Sequence, residues 1–103
     1  MHFLIIKTSA IGDIIHTLPT VEYLRKKFPT ATIDWVAEEA GSGLLRAYPE
    51  VHRVLTIDTK SWRKELHQSS TWKEIGEFRR ELISTSYDVI FDLQGNKIGR
   101  AHV

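Results

Sequence analysis

The sequence predicts an α/β domain, a Rossmann-like parallel sheet with flanking helices. Apolar runs of strand length alternate with segments of helical periodicity in the rhythm βαβαβαβ, which implies mostly parallel strands joined by right-handed crossovers. The first strand also passes through a tight polar turn straight into the first helix, with Asp13 in that helix's opening turn. In an open α/β sheet, a turn of this kind at the carboxyl end of a strand faces the crevice where ligands bind.

Taken in order, Phe3-Leu4-Ile5-Ile6 is the first strand. Ile14, Ile15, Leu18, Val21 and Leu24 then recur at helical spacing, and Arg25-Lys26-Lys27 lies where a helix C-terminus favours positive charge. Phe28-Pro29-Thr30 stops that helix, because proline disfavours helical dihedrals in the residue before it. Residues 31–37 read as the second strand, with Ile33, Trp35 and Ala37 on one face and Thr32 and Val36 on the other. Glu38-Glu39 closes it at the same sheet edge as Lys7, as a solvated edge or as a wall of the site.

A short helix is predicted over 41–48, ended by Pro49-Glu50, and 51–58 alternate as a third strand. Thr59-Lys60-Ser61-Trp62-Arg63-Lys64 follows at that strand's carboxyl end. A basic cluster with an aromatic can grip phosphates or carboxylates. The same segment also reads as a solvated loop whose Trp62 packs on a neighbouring helix. A long helix runs from Ser70 or Thr71 to about Ser84, with either residue as the cap of a capping box. Its expected buried stripe is Trp72, Ile75, Phe78, Leu82 and Ile83. Residues 87–93 form the fourth strand.

Composition bounds the function. At 103 residues the chain holds one domain at most, and its 42% hydrophobic and 26% charged content is ordinary for a globular chain. A net charge of +1, with Lys and Arg spread out, gives no electrostatic case for nucleic acid. Without cysteine there are no disulfides and no thiolate metal sites. No apolar run approaches the roughly 18 residues of a membrane span, and no charged signal-peptide head precedes Phe3, so a cytoplasmic location is expected.

The opening turn carries the first set of candidate residues. It matches neither of the two familiar glycine-rich phosphate loops. Lys7, Thr8, Ser9 and Asp13 can face the crevice together, offering donors for an anion beside one carboxylate. Equally, Thr8 or Ser9 can cap the helix, Asp13 can complement its dipole, and Gly12 can let helix and strand approach closely. Spacing alone leaves both readings open.

Residues 97–103 follow a strand that should lead into another helix, yet have no periodicity of either kind. Ile98 to Val103 can be encoded by ATC GGA AGA GCA CAC GTC, which resembles a common sequencing-library adapter read in frame. We therefore expect a native domain over 1–96, itself incomplete, and a non-native tail over 97–103.

Lys7-Thr8-Ser9-Ala10-Ile11-Gly12-Asp13 with His16-Thr17-Leu18-Pro19, Asp34-Trp35-Val36 with Glu38-Glu39, Trp62-Arg63-Lys64, and Tyr87-Asp88-Val89-Ile90-Phe91-Asp92-Leu93-Gln94-Gly95 together resemble one family. It is the lipopolysaccharide core heptosyltransferases, in particular the heptosyltransferase I branch, with the heptosyltransferase II branch second. The resemblance implies the N-terminal half of a GT-B glycosyltransferase, two Rossmann-like halves facing each other across a cleft. This half would receive the Kdo-bearing lipid A acceptor at the cytoplasmic face of the inner membrane. The C-terminal half would hold the donor ADP-heptose, and no cofactor or metal is implied.

Carried over position by position, the resemblance makes Asp13 the catalytic base. It places Lys7, Thr8, Ser9, Gly12, Lys60, Trp62, Arg63 and Lys64 on the acceptor. Position 60 departs from the family's usual arginine, turning a bidentate grip into a single-point one. Alone, the chain would be inactive. The competing reading of another class is a stand-alone βα nucleotide-binding or receiver-like module, which would need an acidic cluster at strand ends.

Overall fold

The computed structural model describes residues 1–8 and 11–93. The expected domain end at 96, the tail at 97–103 and Ser9 lie outside the described residues. Four parallel strands form one sheet: β1 (His2–Ile6), β2 (Thr32–Glu38), β3 (Arg53–Ile57) and β4 (Val89–Asp92), in the order β3-β2-β1-β4. The helices are α1 (Ile11–Lys27), α2 (Ser42–Arg46), α3 (Thr59–Lys64) and α4 (Ser69–Ile83), with a single 3₁₀ turn over Glu39–Gly41.

The strand order explains the layers. From β1 through β3 the chain steps in one direction across the sheet, and then it jumps back to place β4 on the other side of β1. With crossovers of one hand, that reversal moves the connecting helix to the opposite face. The packing agrees. Ile14, Val21 and Leu24 of α1 and Leu45 of α2 bury against Phe3, Ile5, Ile33, Trp35 and Ala37 on one face. Phe78 and Leu82 of α4 lie against Leu4, Val36 and Leu55 on the other.

β2, with strands on both sides and helices over both faces, is the most enclosed strand. Ile33, Trp35 and Ala37 are fully buried on the predicted face. Trp35 is the largest side chain in the core, and its indole N–H donates to the Lys7 carbonyl at 3.0 Å. Truncating a residue buried in this way costs about 3–5 kcal/mol.

Four expectations are corrected. Ile15 is half exposed, because the buried face of α1 runs through Ile14, Thr17, Val21 and Leu24. On α4 the buried face begins at Thr71 and continues through Ile75, Phe78 and Leu82, leaving Trp72 and Ile83 largely exposed. The α4 cap position is Gln68, whose side chain makes no capping bond, so neither Ser70 nor Thr71 caps it. The cationic segment is a helix rather than a loop, capped by Asp58, whose carboxylate accepts from the Ser61 amide at 3.3 Å.

Candidate functional site

Parallel pairing puts all four strand carboxyl ends on one edge: Ile6, Glu38, Ile57 and Asp92. The chain reverses direction across the sheet between β1 and β4, so the switch point of the fold lies between their ends. A cleft of about 300 Å³ opens there, lined by Lys7, Asp13, His16, Thr17, Thr20 and Leu93.

Each lining group is placed by a local cause. Lys7 is the first residue beyond β1, and its ammonium donates to the Leu93 carbonyl at 3.2 Å, tying the ends of β1 and β4 together. Asp13 is exposed in the first turn of α1, where a carboxylate complements the helix dipole. One turn on, the Thr17 hydroxyl donates back to the Asp13 carbonyl at 2.8 Å. His16 stands exposed beside them, at helical spacing from Asp13.

The structure brings Lys7 and Asp13 into one cleft. Thr8 is buried, and its carbonyl accepts from the Glu38 amide at 3.1 Å. Gly12 is exposed, and among the described residues a Cβ there would meet nothing within 4 Å, so no described strand residue packs against it closely enough to require glycine.

Lys60, Arg63 and Lys64 are exposed on α3, on the same sheet edge but two strands away at β3. They do not line the Asp13 cleft. Trp62 is half-buried, its ring 6.5 Å from that of Phe78 on α4, and it lines a separate cavity of about 350 Å³ with Asp58, Glu74 and Glu77. Among the described residues its buried indole N–H has no hydrogen-bond partner.

No protein-family model matches the chain. Individual proteins do. Lipopolysaccharide heptosyltransferase 1 of Pseudomonas aeruginosa is 37% identical over 95 residues, 92% of this chain and 27% of that protein. The Escherichia coli protein of the same name is 35% identical over 95 residues, 92% of this chain and 30% of its own length. The solved structure of E. coli heptosyltransferase WaaC with ADP superposes with a TM-score of 0.88 at 34% identity, covering 93% of this chain and 30% of that one. This chain is a heptosyltransferase I homologue.

The homologue spans about 30% of the length of the relatives it matches, and it corresponds to their N-terminal portion. A glycosyltransferase family 9 structure from Veillonella parvula, 23% identical with a TM-score of 0.73, shares the fold. The parallel sheet with flanking helices is thus that of GT-B family 9 proteins.

Two features of the heptosyltransferase I homologue were missed in the sequence. Glu38 is committed: its carboxylate accepts from the Thr59 hydroxyl at 2.5 Å and the Thr59 amide at 3.3 Å. Asp34 is fully buried and accepts from the Tyr87 hydroxyl at 2.7 Å, with His2 Nε2 at 2.8 Å, His52 Nδ1 at 3.3 Å and the Arg53 guanidinium at 3.4 Å. Asp34 is level with Leu4 and with Arg53, the first residue of β3, so this cluster lies toward the amino ends of the strands, away from the cleft. The detectable signal was one carboxylate inside an otherwise apolar strand, with His2, His52, Arg53 and Tyr87 each near the start of another. Among the described residues no three His, Asp or Glu side chains gather as a metal site.

Proposed function

We propose that the chain is the acceptor-side, N-terminal part of an inverting glycosyltransferase that moves heptose from ADP-heptose to the Kdo of lipid A in inner-core synthesis. One observation carries the reading. In a chain 35–37% identical to heptosyltransferases I, Asp13, the one carboxylate among the described residues that line the switch-point cleft, shares it with the Lys7 ammonium.

The chemistry needs little more on this side. The acceptor hydroxyl oxygen bonds to the anomeric carbon as the bond from that carbon to the ADP phosphate oxygen breaks. Asp13 takes the hydroxyl proton, and the electron pair leaves with ADP, a leaving group that needs no acid. Lys7 favours negative charge in the same cleft. Lys60, Arg63 and Lys64 present three cations along the same edge to an anionic acceptor, and Trp62, on the same helix, is the remaining proposed acceptor contact there. Thr8, Ser9 and Gly12 complete the proposed acceptor wall.

Residues 1–96 would form this acceptor domain, facing a second domain that binds the donor. That division fits the E. coli heptosyltransferase WaaC structures with ADP and with ADP-2-deoxy-2-fluoro heptose, of which this chain covers 30%. Among the described residues no helix is long and apolar enough to cross a membrane. The exposed cations of α3 suit peripheral contact with the anionic inner face of a membrane carrying the acceptor.

The test is a transfer assay with the full-length protein carrying this sequence, ADP-heptose, and Kdo-bearing lipid A, read by mass spectrometry. Addition of one heptose to Kdo is expected. Transfer only to an acceptor that already carries heptose would move the protein to the heptosyltransferase II branch, and no transfer to either would retire the reading.

A further inference from the structure

Glu38 ends β2, the strand that lies between the two halves of the proposed site. Its backbone and its side chain face different partners. The amide N–H donates to the Thr8 carbonyl at 3.1 Å, on the segment that leads into the Asp13 turn. The carboxylate accepts the hydroxyl of Thr59 at 2.5 Å and its amide at 3.3 Å, on the first residue of α3. One residue therefore joins the Lys7–Asp13 cleft to the cationic helix.

That helix needs such a tie. Six residues are too few for a helix to persist on propensity alone, and its first turn presents amide donors with no partner inside the helix. Glu38 and Asp58 take two of those donors, on Thr59 and Ser61. Both carboxylates sit at the amino end of α3, where they suit its dipole, while Arg63 and Lys64 occupy the last turn. The carboxylate therefore holds the helix by one end and leaves the cations at the other end exposed.

We infer that Glu38 is a positioning residue for acceptor binding, fixing the direction in which α3 presents Lys60, Arg63 and Lys64 relative to Asp13. Glu38 touches neither reacting atom in this role. It acts through Thr59, and the inference rests on the proposed heptosyl transfer for its catalytic readout alone.

The test uses the full-length protein with Glu38→Ala, Glu38→Gln and Thr59→Val. Losing charge-assisted bonds of this kind should raise the acceptor KM about ten- to a hundredfold. The KM for ADP-heptose and kcat should stay within about twofold, since neither reacting atom is touched. Glu38→Gln keeps one carbonyl acceptor and should recover much of the loss, with Thr59→Val in between. In parallel, hydrogen exchange measured without substrate should show the 59–64 amides losing protection in Glu38→Ala while those of 33–37 keep theirs. Unchanged exchange over 59–64, or a fall in kcat at constant acceptor KM, would overturn the inference. Wild-type protein that transfers no heptose would instead overturn the transfer reading, and the exchange comparison would still decide whether Glu38 holds α3.

Discussion

The Tyr87 hydroxyl donates to the fully buried Asp34 carboxylate at 2.7 Å, across 53 residues of sequence. Around that bond His2, His52 and Arg53 converge from the starts of β1 and β3, and Arg53 also donates to Thr85 at 2.8 Å. The amino ends of the strands are thus fastened around one charge, while the carboxyl ends carry the cleft. A buried ion cluster is costly to break, because removing one partner leaves another uncompensated.

Asp34→Ala should therefore destabilise the domain by about 3–5 kcal/mol, and Tyr87→Phe by about 1–3 kcal/mol, the cost of one missing donor to a buried charge. Urea unfolding of both variants checks this. Because the cluster lies away from the cleft, folded Tyr87→Phe protein should keep wild-type kcat and acceptor KM. A selective loss of turnover with unchanged stability would assign the cluster to the site instead.

The cluster also shows what the sequence carried and what it withheld. Strand and helix periodicity was enough for the parallel sheet, since Ile33, Trp35 and Ala37 alternate cleanly and each crossover is helical. The phase of α4 was not, because Trp72 is the larger apolar side chain, yet Thr71 is the one turned to the sheet. Volume and hydropathy rank candidates for a stripe, but the angle at which a helix meets the sheet selects among adjacent ones. The Lys7–Asp13 pairing was legible because both lie within one turn of the strand–helix junction. The bonds from Glu38 to Thr59 and from Asp34 to Tyr87 join residues 21 and 53 apart, and only the register of the sheet brings them together.

Alkaline pH offers a second check. Burial, then the hydrogen bond to Glu22 and the charges of Glu22 and Glu50, push the Tyr48 phenol up to about 12 from its usual 10. Tyr87 is raised in the same direction, by burial first and then by its bond to Asp34, with Arg53 opposing. A raised folded value means that the native state holds its proton more tightly than the unfolded chain. This part of the stability is complete below pH 10 and is lost as pH rises toward 12. Urea midpoints should fall steadily across that interval, and Tyr48→Phe should flatten the fall. Midpoints that stay constant there would show that the two phenols add nothing to stability.

The α3 cations make a prediction about salt. Lys60, Arg63 and Lys64 are exposed, so their attraction for an anionic acceptor is screened over about 10 Å at 0.1 M salt. The acceptor KM of the full-length protein should rise with ionic strength, and Lys64→Ala should raise it further with a smaller effect on kcat. Lys60→Arg should lower it, since a guanidinium grips phosphate or carboxylate at two points. An acceptor KM indifferent to salt and to both substitutions would remove α3 from the acceptor site.

Asp13 has two readings that kinetics separates. As the base, it alone among the described cleft-lining side chains is a carboxylate, beside Lys7, His16, Thr17, Thr20 and Leu93. Asp13→Asn preserves its shape and its place in the first turn of α1 but cannot take a proton. Turnover of the full-length protein should then fall by roughly 10²–10⁴-fold, the range for loss of a general base. The acceptor KM should change little, because Lys60, Arg63 and Lys64 still bind. As a dipole partner only, Asp13 would contribute under about 1 kcal/mol to stability and nothing to the chemical step. Near-normal turnover in folded Asp13→Asn protein would retire the base assignment. The other carboxylates at the ends of the neighbouring strands are Asp92, paired with Ile6 and next to Leu93 of the cleft, and Glu38 and Glu39 beyond β1. Glu38 already holds Thr59, so Asp92 and then Glu39 are the next residues to substitute.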